Sequence, residues 1–181
     1  KNGEAPRIQV CVCPTLIPAD HVLASVNGVF NAVYVRGDIV GDTLYYGQGA
    51  GQDATASAVL GDLADAALDI KFGTSNRIPP FVPHEEDGEV IPTEEIVSEY
   101  YLRLNVADRP GTLARVASIL AEANIGISSV IQPEGHGGSS VPLILMIHDA
   151  RSSSMKAAMK QIGRLPVVKG APVLFRVEDF E

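Results

Sequence analysis

Residues 100–132 read YYLRLNVADRPGTLARVASILAEANIGISSVIQ. Tyr100, Leu102, Leu104 and Val106 share one face of an alternating strand, and Tyr101, Arg103 and Asn105 share the other. The alternation breaks at Asp108-Arg109-Pro110-Gly111. Leu113, Val116, Ala117, Leu120 and Ala121 then recur at three- and four-residue spacing, which predicts an amphipathic helix. Asn124 ends that helix, and Ile125, Ile127, Val130 and Ile131 open a second strand. Strand, tight loop, helix and strand fit in about 33 residues, close to the minimum for a β-α-β unit.

The loop carries the chemistry. Pro110 fixes φ and suits a first helical position. Gly111 lets the backbone turn, or lets a ligand approach where a Cβ would block it. Thr112 and the amides of the first turn form a weakly positive helix end, able to hold a carboxylate. Taken alone, these residues are explained more simply as an ordinary strand-to-helix connection punctuated by Pro and Gly.

Downstream, Pro133–Ser140 reads as a flexible loop and Val141–His148 as an apolar strand. A helix is expected over about 152–162, burying Met155, Ala158, Met159 and Ile162, with the methionines as core filler. Val173–Val177 closes the sheet. The order β-α-β-β-α-β predicts a ferredoxin-like sandwich, with both helices on one face and the other face or the edges left for a partner.

Upstream, Arg7–Cys13 reads as a short β run broken by Pro14 and Pro18. Val29–Val35 and Thr43–Tyr46 are strands that plausibly pair as a hairpin. The second ends in Gly47-Gln48-Gly49-Ala50-Gly51. A helix is expected from near Asp53–Thr55 through Val59, Leu60, Leu63, Ala67 and Ile70, with Thr55 as its cap. A glycine-rich strand-to-helix turn brings backbone amides close to a phosphate, a carboxylate or a flat ring. The spacing is wrong for G-x-G-x-x-G, and the second strand with its acidic residue is missing, so a Rossmann site is rejected here. A tight packing turn is the plainer explanation. Between the two halves, Asn76–Thr93 holds four prolines and the cluster Glu85-Glu86-Asp87, which reads as a semi-stiff, solvated linker rather than a metal site.

Composition sets the outer bounds. The chain has 181 residues, 46% hydrophobic and 20% charged, and is core-forming. A net charge of −8 argues against a sequence-independent nucleic-acid binder. No apolar run approaches the ~20 residues that span a bilayer. The absence of Met at Lys1 suggests a fragment or a processed chain. Cys11 and Cys13 read as two thiols on one strand face, too divergent to bridge easily, without further ligands for a metal, and reduced in their compartment.

Two resemblances sharpen these expectations. Asp108-Arg109-Pro110-Gly111-Thr112-Leu113, followed by Ala123-Asn124-Ile125-Gly126-Ile127, resembles the ACT domain, a small regulatory amino-acid-binding module, over about Tyr100 to Val177. The resemblance implies that two such units pair and that the ligand lies at their interface. The amides of the Asp108–Thr112 loop, with Pro110 and Gly111 in it, would take the ligand carboxylate and Asp108 its ammonium. Asn124, Ile125 and Gly126 would form the opposite wall, and Gln132 would bind a ligand hydroxyl.

Cys13-Pro14-Thr15-Leu16-Ile17-Pro18, Leu23–Val33, Tyr46–Gly51 and Thr55–Val59, in that order, resemble the end of the catalytic domain of homoserine dehydrogenase, in the long bacterial type with a C-terminal regulatory domain. The family usually has His where Cys13 stands and commonly Arg where Gln48 stands. Gln52-Asp53-Ala54 replaces a more usual Gly-x-Pro. The resemblance implies hydride transfer between NAD or NADP and the aspartate semialdehyde–homoserine pair, with the cofactor held mainly by an N-terminal Rossmann domain. Gly51 above all, with Gly49 and Ala50, would contribute backbone beside the nicotinamide, while Asn31 is structural. Lys71 does not match the family's catalytic lysine. This chain is therefore expected to hold no catalytic residue and to be inactive alone. L-Threonine is the expected effector, coupled to catalysis only through differential affinity for two arrangements. The alternatives are a non-catalytic ACT amino-acid sensor or another ACT-bearing enzyme of amino-acid metabolism. The expected whole is a mixed α/β (α+β), cytoplasmic homo-oligomer. Residues 1–78 would end a catalytic domain, 79–98 would link, and 99–181 would form the ACT-type unit.

Overall fold

The computed structural model describes residues 7–74, 89–133 and 140–180. Residues 76–88 of the proline-rich stretch expected at 76–93, and most of the loop expected at 133–140, lie outside them. The strands are β1 (Arg7–Ile8), β2 (Thr15–Leu16), β3 (Phe30–Gly37), β4 (Gly41–Gln48), β5 (Glu89–Val90), β6 (Val97–Val106), β7 (Ile127–Ile131), β8 (Val141–Arg151) and β9 (Val173–Val177). The helices are α1 (Gln52–Phe72), α2 (Thr112–Glu122) and α3 (Ser152–Ile162), with a 3-10 turn at Val22–Ser25. The chain divides into two compact units, Ala19–His84 forming one and the rest the other.

The larger unit is built on β6. It pairs antiparallel with β8 on one side and β9 on the other, and β7 adds to β8. The sheet order is β2-β9-β6-β8-β7, so β6 through β9 with α2 and α3 make the expected ferredoxin-like sandwich. The alternation in β6 decides which face is covered. Tyr100, Leu102, Leu104 and Val106 are buried, as are Val141, Leu143, Leu145 and Ile147 of β8. α2 adds Val116 and Leu120 to this core, and α3 adds Met155, Ala158 and Ile162. Each such large apolar side chain contributes about 1.5–3 kcal/mol when fully buried. α2 meets the sheet through a row spaced every four residues, Thr112, Val116 and Leu120. Leu113 and Ala121, which the apolar spacing also includes, lie off that row and stay exposed.

α2 ends in a Schellman turn. Asn124 takes a positive φ of 55°, its amide donates to the Ala121 carbonyl, and the Ile125 amide donates to the Leu120 carbonyl. Ile125 is thereby turned into the core, where it is 5% exposed. β8 runs to Arg151, three residues beyond His148. Ser98 and Val97 continue the ladder opposite Ala150 and Arg151 after a bulge.

The first residues depart from their reading as one β run. Arg7 and Ile8 pair parallel with Glu89 and Val90, but residues 9–14 have no strand partner. Pro92, which lacks an amide, soon follows β5, and Pro14 interrupts the other chain. Thr15 and Leu16 then pair parallel with Arg176 and Val177, capping one edge of the main sheet. Residues 7–18 thus belong by their pairing to the C-terminal unit. The other edge, β7, has a neighbour on one side only among the described residues.

In the smaller unit β3 and β4 form the expected hairpin, in register from Phe30 opposite Gln48 to Gly37 opposite Gly41. β4 therefore reaches Gln48 and leaves a three-residue turn before α1. That helix starts at Gln52, with Gly51 as its N-cap. Thr55 does not cap it: it lies inside the first turn, its backbone amide donating to the Gly51 carbonyl. No residue of α1 is buried, and Val59, Leu60, Leu63, Ile70 and Phe72 are exposed. Val33, Val35, Tyr45 and Tyr46 of the hairpin are exposed as well. Apolar surface of this extent marks a face made for contact.

Candidate functional site

The turn after β6 is closed from within. The Thr112 amide donates to the Arg109 carbonyl, and Gly111 sits at φ 84° and ψ −2°. Those angles at the third position, after Pro110 at the second, define a type II turn. Pro110 is therefore the pivot of a turn and not the first helical residue; α2 begins at Thr112. The buried Thr112 hydroxyl donates to the Ala107 carbonyl at 3.1 Å, so it braces the loop. No side chain caps α2, whose N-cap is Gly111, and its first-turn amides face the loop.

Beside this turn lies a cavity of about 260 Å³, walled by the end of β6, the 107–113 turn, Gln132 and Leu143. A water occupies ~30 Å³ of liquid, so the space suits one free amino acid. Asp108, Pro110, Gly111, Thr112 and Gln132 all line it. Asn124, Ile125 and Gly126 do not. They follow the far end of α2, whose 11 residues rise about 16 Å. Ile125 is a core residue, and Asn124 is the left-handed terminator of the helix. At Gly126 an added Cβ would stand 3.2 Å from the His148 ring, so this glycine makes room for His148. Within one chain the two groups of expected effector residues stay apart. The open edge of β7, where Val130 is 42% and Ile131 53% exposed, lies between them in sequence.

The second expected site is the turn Gly49-Ala50-Gly51. The Gly49 amide donates to the Val29 carbonyl, and the Asn31 side chain lies so close that a Cβ at Gly49 would collide with it. Asn31, read from the sequence as structural, thus roofs the turn. Gly51 has φ 126° and nothing within 4 Å of the place a Cβ would take. Ala50 between them is exposed. Elsewhere in this unit Arg36 Nε donates to Asp42 at 3.0 Å. Hydrogen bonds from Tyr34 and Arg36 hold the Asp42 carboxyl below its ordinary range.

A larger cavity, about 460 Å³, escaped the sequence reading because four separated segments build it. Cys11 and Cys13, Tyr100, Lys156 and Arg176 are among its lining residues. Tyr100 is 3% exposed, and its hydroxyl has no hydrogen-bond partner among the described residues. The cysteines also depart from expectation. They sit on no strand, Cys11 is exposed, and their sulfurs lie 3.9 Å apart. Among the described residues no three His, Cys, Asp or Glu side chains cluster to hold a metal. No described helix is long and apolar enough to cross a membrane.

Comparison with known proteins agrees with both halves. The homoserine dehydrogenase family model matches residues 2–64, and the ACT domain model matches residues 100–167. A homoserine dehydrogenase of Pseudomonas aeruginosa is 44% identical over 172 residues, covering 93% of this chain and 40% of that protein. One of Neisseria gonorrhoeae is 39% identical, covering 99% and 41%. The crystal structure of a homoserine dehydrogenase from Thiobacillus denitrificans superimposes with a TM-score of 0.80 at 40% identity, over 96% of this chain and 39% of that one. The chain thus spans about two fifths of the length of these relatives. With both models matched in this order, the chain belongs to the homoserine dehydrogenase family, as the C-terminal region that carries an ACT domain.

Proposed function

We propose that this chain is the effector-sensing part of an NAD- or NADP-dependent enzyme that interconverts L-homoserine and L-aspartate 4-semialdehyde in the cytoplasm. Its ACT unit binds L-threonine. The observation that carries this reading is the 260 Å³ cavity, where the 108–112 turn and Gln132, from beyond β7, line one space. An α-amino acid needs an anion for its ammonium and donors for its carboxylate. Asp108 supplies the first, and the uncapped amides at the start of α2 supply the second. Gln132, on the facing wall, offers an amide to the threonine hydroxyl.

Asn124, Ile125 and Gly126 complete the site only from a second copy, because α2 separates them from the cavity in one chain. A pair joined along β7 suits that need, since β7 presents an open edge and exposed apolar residues. Threonine held between two copies then favours whichever arrangement closes the cavity, and that preference sets the size of any regulation.

On the catalytic side, the nicotinamide cofactor supplies the hydride. The turn 49–51 fits contact with a flat ring, because Gly51 leaves open the space of a Cβ. Gly51, Gly49 and Ala50 would border the ring through backbone atoms, and Asn31 holds the turn in shape. The proton-transfer groups and the dinucleotide fingerprint belong to the part of the enzyme outside this chain. Purified alone, the chain is therefore inactive in homoserine-dependent reduction of NAD or NADP. The exposed apolar residues of α1 and the hairpin are covered, in the whole enzyme, by that other part.

Calorimetric titration with L-threonine, against serine, isoleucine and homoserine, tests the reading, with light scattering for mass. Saturable, threonine-selective binding by a dimer is expected. A folded dimer that binds none of the four would remove the effector assignment.

A further inference from the structure

We propose that Cys11 and Cys13 form a peroxide-reactive dithiol that closes to an intrachain disulfide, a modification site on the ACT side of the chain. The two sulfurs stand 3.9 Å apart, about twice the length of the covalent bond they would form. The usual objection to a bridge between residues i and i+2 is that their side chains diverge on a pleated strand. Residues 9–14 belong to no strand here, so no ladder bond must break when the sulfurs close.

The surroundings are those of a reactive thiol rather than an inert one. Arg176 Nη1 lies 3.3 Å from Cys11 Sγ. The Thr15 hydroxyl lies 3.5 Å from Cys13 Sγ. Lys156 lines the same 460 Å³ cavity, which gives a small reagent access to both sulfurs. The hydrogen bond with Thr15, then that with Cys11 and the charge of Arg176, lower the Cys13 thiol below its ordinary value. Cys11 is raised, first by partial desolvation and then by Cys13. The pair therefore divides into an attacking thiolate, Cys13, and a resolving thiol, Cys11, the arrangement of oxidation-sensitive cysteines.

The co-reactant is a hydroperoxide. The Cys13 thiolate attacks one peroxide oxygen; an S–O bond forms and the O–O bond breaks. The departing alkoxide or hydroxide takes a proton from solvent. Cys13, now a sulfenic acid, has lost two electrons and the peroxide has gained them. The Cys11 sulfur then attacks Cys13, the S–S bond forms, the S–O bond breaks, and the leaving hydroxide takes the Cys11 proton as water. Two thiols and one peroxide give one disulfide, one alcohol or water, and one further water. The product leaves a neutral disulfide sulfur where Arg176 now meets a titratable thiol, and fixes the segment leading into β2.

Treating the chain with one equivalent of hydrogen peroxide, then N-ethylmaleimide, and weighing it intact tests this. The expected product has the mass of one chain with no interchain disulfide, is lighter by two hydrogens, unlabelled by the maleimide and restored by dithiothreitol. Cys11→Ser should stop at a sulfenic acid on Cys13 that dimedone traps. Cys13→Ser should slow oxidation of the remaining thiol at least ~10-fold. Circular dichroism of both variants checks that the exposed segment has not unfolded the unit. Thiols that stay open to maleimide, a disulfide formed only between chains, or a Cys13→Ser variant oxidised at the unaltered rate would each overturn the proposal.

Discussion

The Thr112 hydroxyl donates across the turn to the Ala107 carbonyl at 3.1 Å, tying the first residue of α2 to the end of β6. Both groups are buried, so the bond cannot be replaced by water without rearrangement. Thr112→Val keeps the shape and removes the donor, stranding a buried carbonyl. A loss of about 1–3 kcal/mol is expected in urea unfolding. Thr112→Ser should recover most of it. If the turn also holds the effector, Thr112→Val weakens threonine binding while the other cavity residues are unchanged.

Asn124 separates a structural role from a binding one. Its φ of 55° suits Gly at least as well as Asn, and suits Ala poorly. Asn124→Gly should leave the unfolding midpoint nearly unchanged. Asn124→Ala should cost about 1 kcal/mol, for the strain of a Cβ in the left-handed region. A fully stable Asn124→Gly variant that loses threonine affinity would assign the amide to the ligand. One that binds normally would leave Asn124 as the terminator of α2 alone.

How far these features could be read from the sequence follows from their range. The alternation in β6 and the stop at Asn124 are local and were legible at Tyr100–Gln132, and the order of the ACT elements was legible over 100–177. Asp108, Pro110, Gly111 and Thr112 were legible as one group because they lie within one short loop, whereas Gln132, which follows β7, came only from the resemblance. What could not be read depends on partners distant in the chain. Thr15 pairs with Arg176, so β2 becomes an edge strand of a sheet formed mainly after residue 97. Cys11 meets Arg176 for the same reason. The position of Thr55 was misjudged because β4 extends to Gln48, which moves the start of α1 back to Gln52. Periodicity alone made Leu113 a core position. Only the packing of α2 on the sheet, along Thr112, Val116 and Leu120, shows that it is not.

The two units should respond differently to truncation of a leucine. Leu102 is fully buried in the ACT core, and Leu102→Ala should cost about 2–5 kcal/mol in its unfolding. Leu63 on α1 is 60% exposed. Leu63→Ser should shift the same transition by less than about 0.5 kcal/mol. In the whole enzyme, where the face of α1 is proposed to be covered, the substitution should instead become destabilising. Chemical denaturation of both variants, in this chain and in the full-length protein, measures the contrast.

β7 gives the proposed pairing a direct test. Val130 and Ile131 are exposed on a strand with one free edge, and a charged residue at such an edge opposes strand addition. Val130→Lys should convert a dimer to a monomer by light scattering while circular dichroism stays unchanged. If Asn124–Gly126 complete the cavity from a second copy, as proposed, the monomer should also lose threonine binding. A monomer that still binds threonine would confine the site to Asp108–Thr112 and Gln132 of one chain.

The two thiols should differ in their response to pH, independently of any oxidation. Cys13 is held below the ordinary thiol value by Thr15, Cys11 and Arg176, and Cys11 is raised by desolvation and by Cys13. The thiolate is the nucleophile, so alkylation follows its fraction. As pH rises from neutrality, iodoacetamide should label Cys13 first, and Cys11 should follow only at higher pH. Arg176→Ala removes a cation that favours both thiolates, and should move both profiles to higher pH. Arg176→Lys keeps the charge and should leave them closer to the original. Thr15→Val removes the hydrogen bond that most lowers Cys13 and should narrow the gap between the two cysteines. Peptide mapping of the labelled chain across pH separates the two sites, and equal labelling at every pH would show that the contacts at 3.3–3.9 Å do not discriminate between the sulfurs.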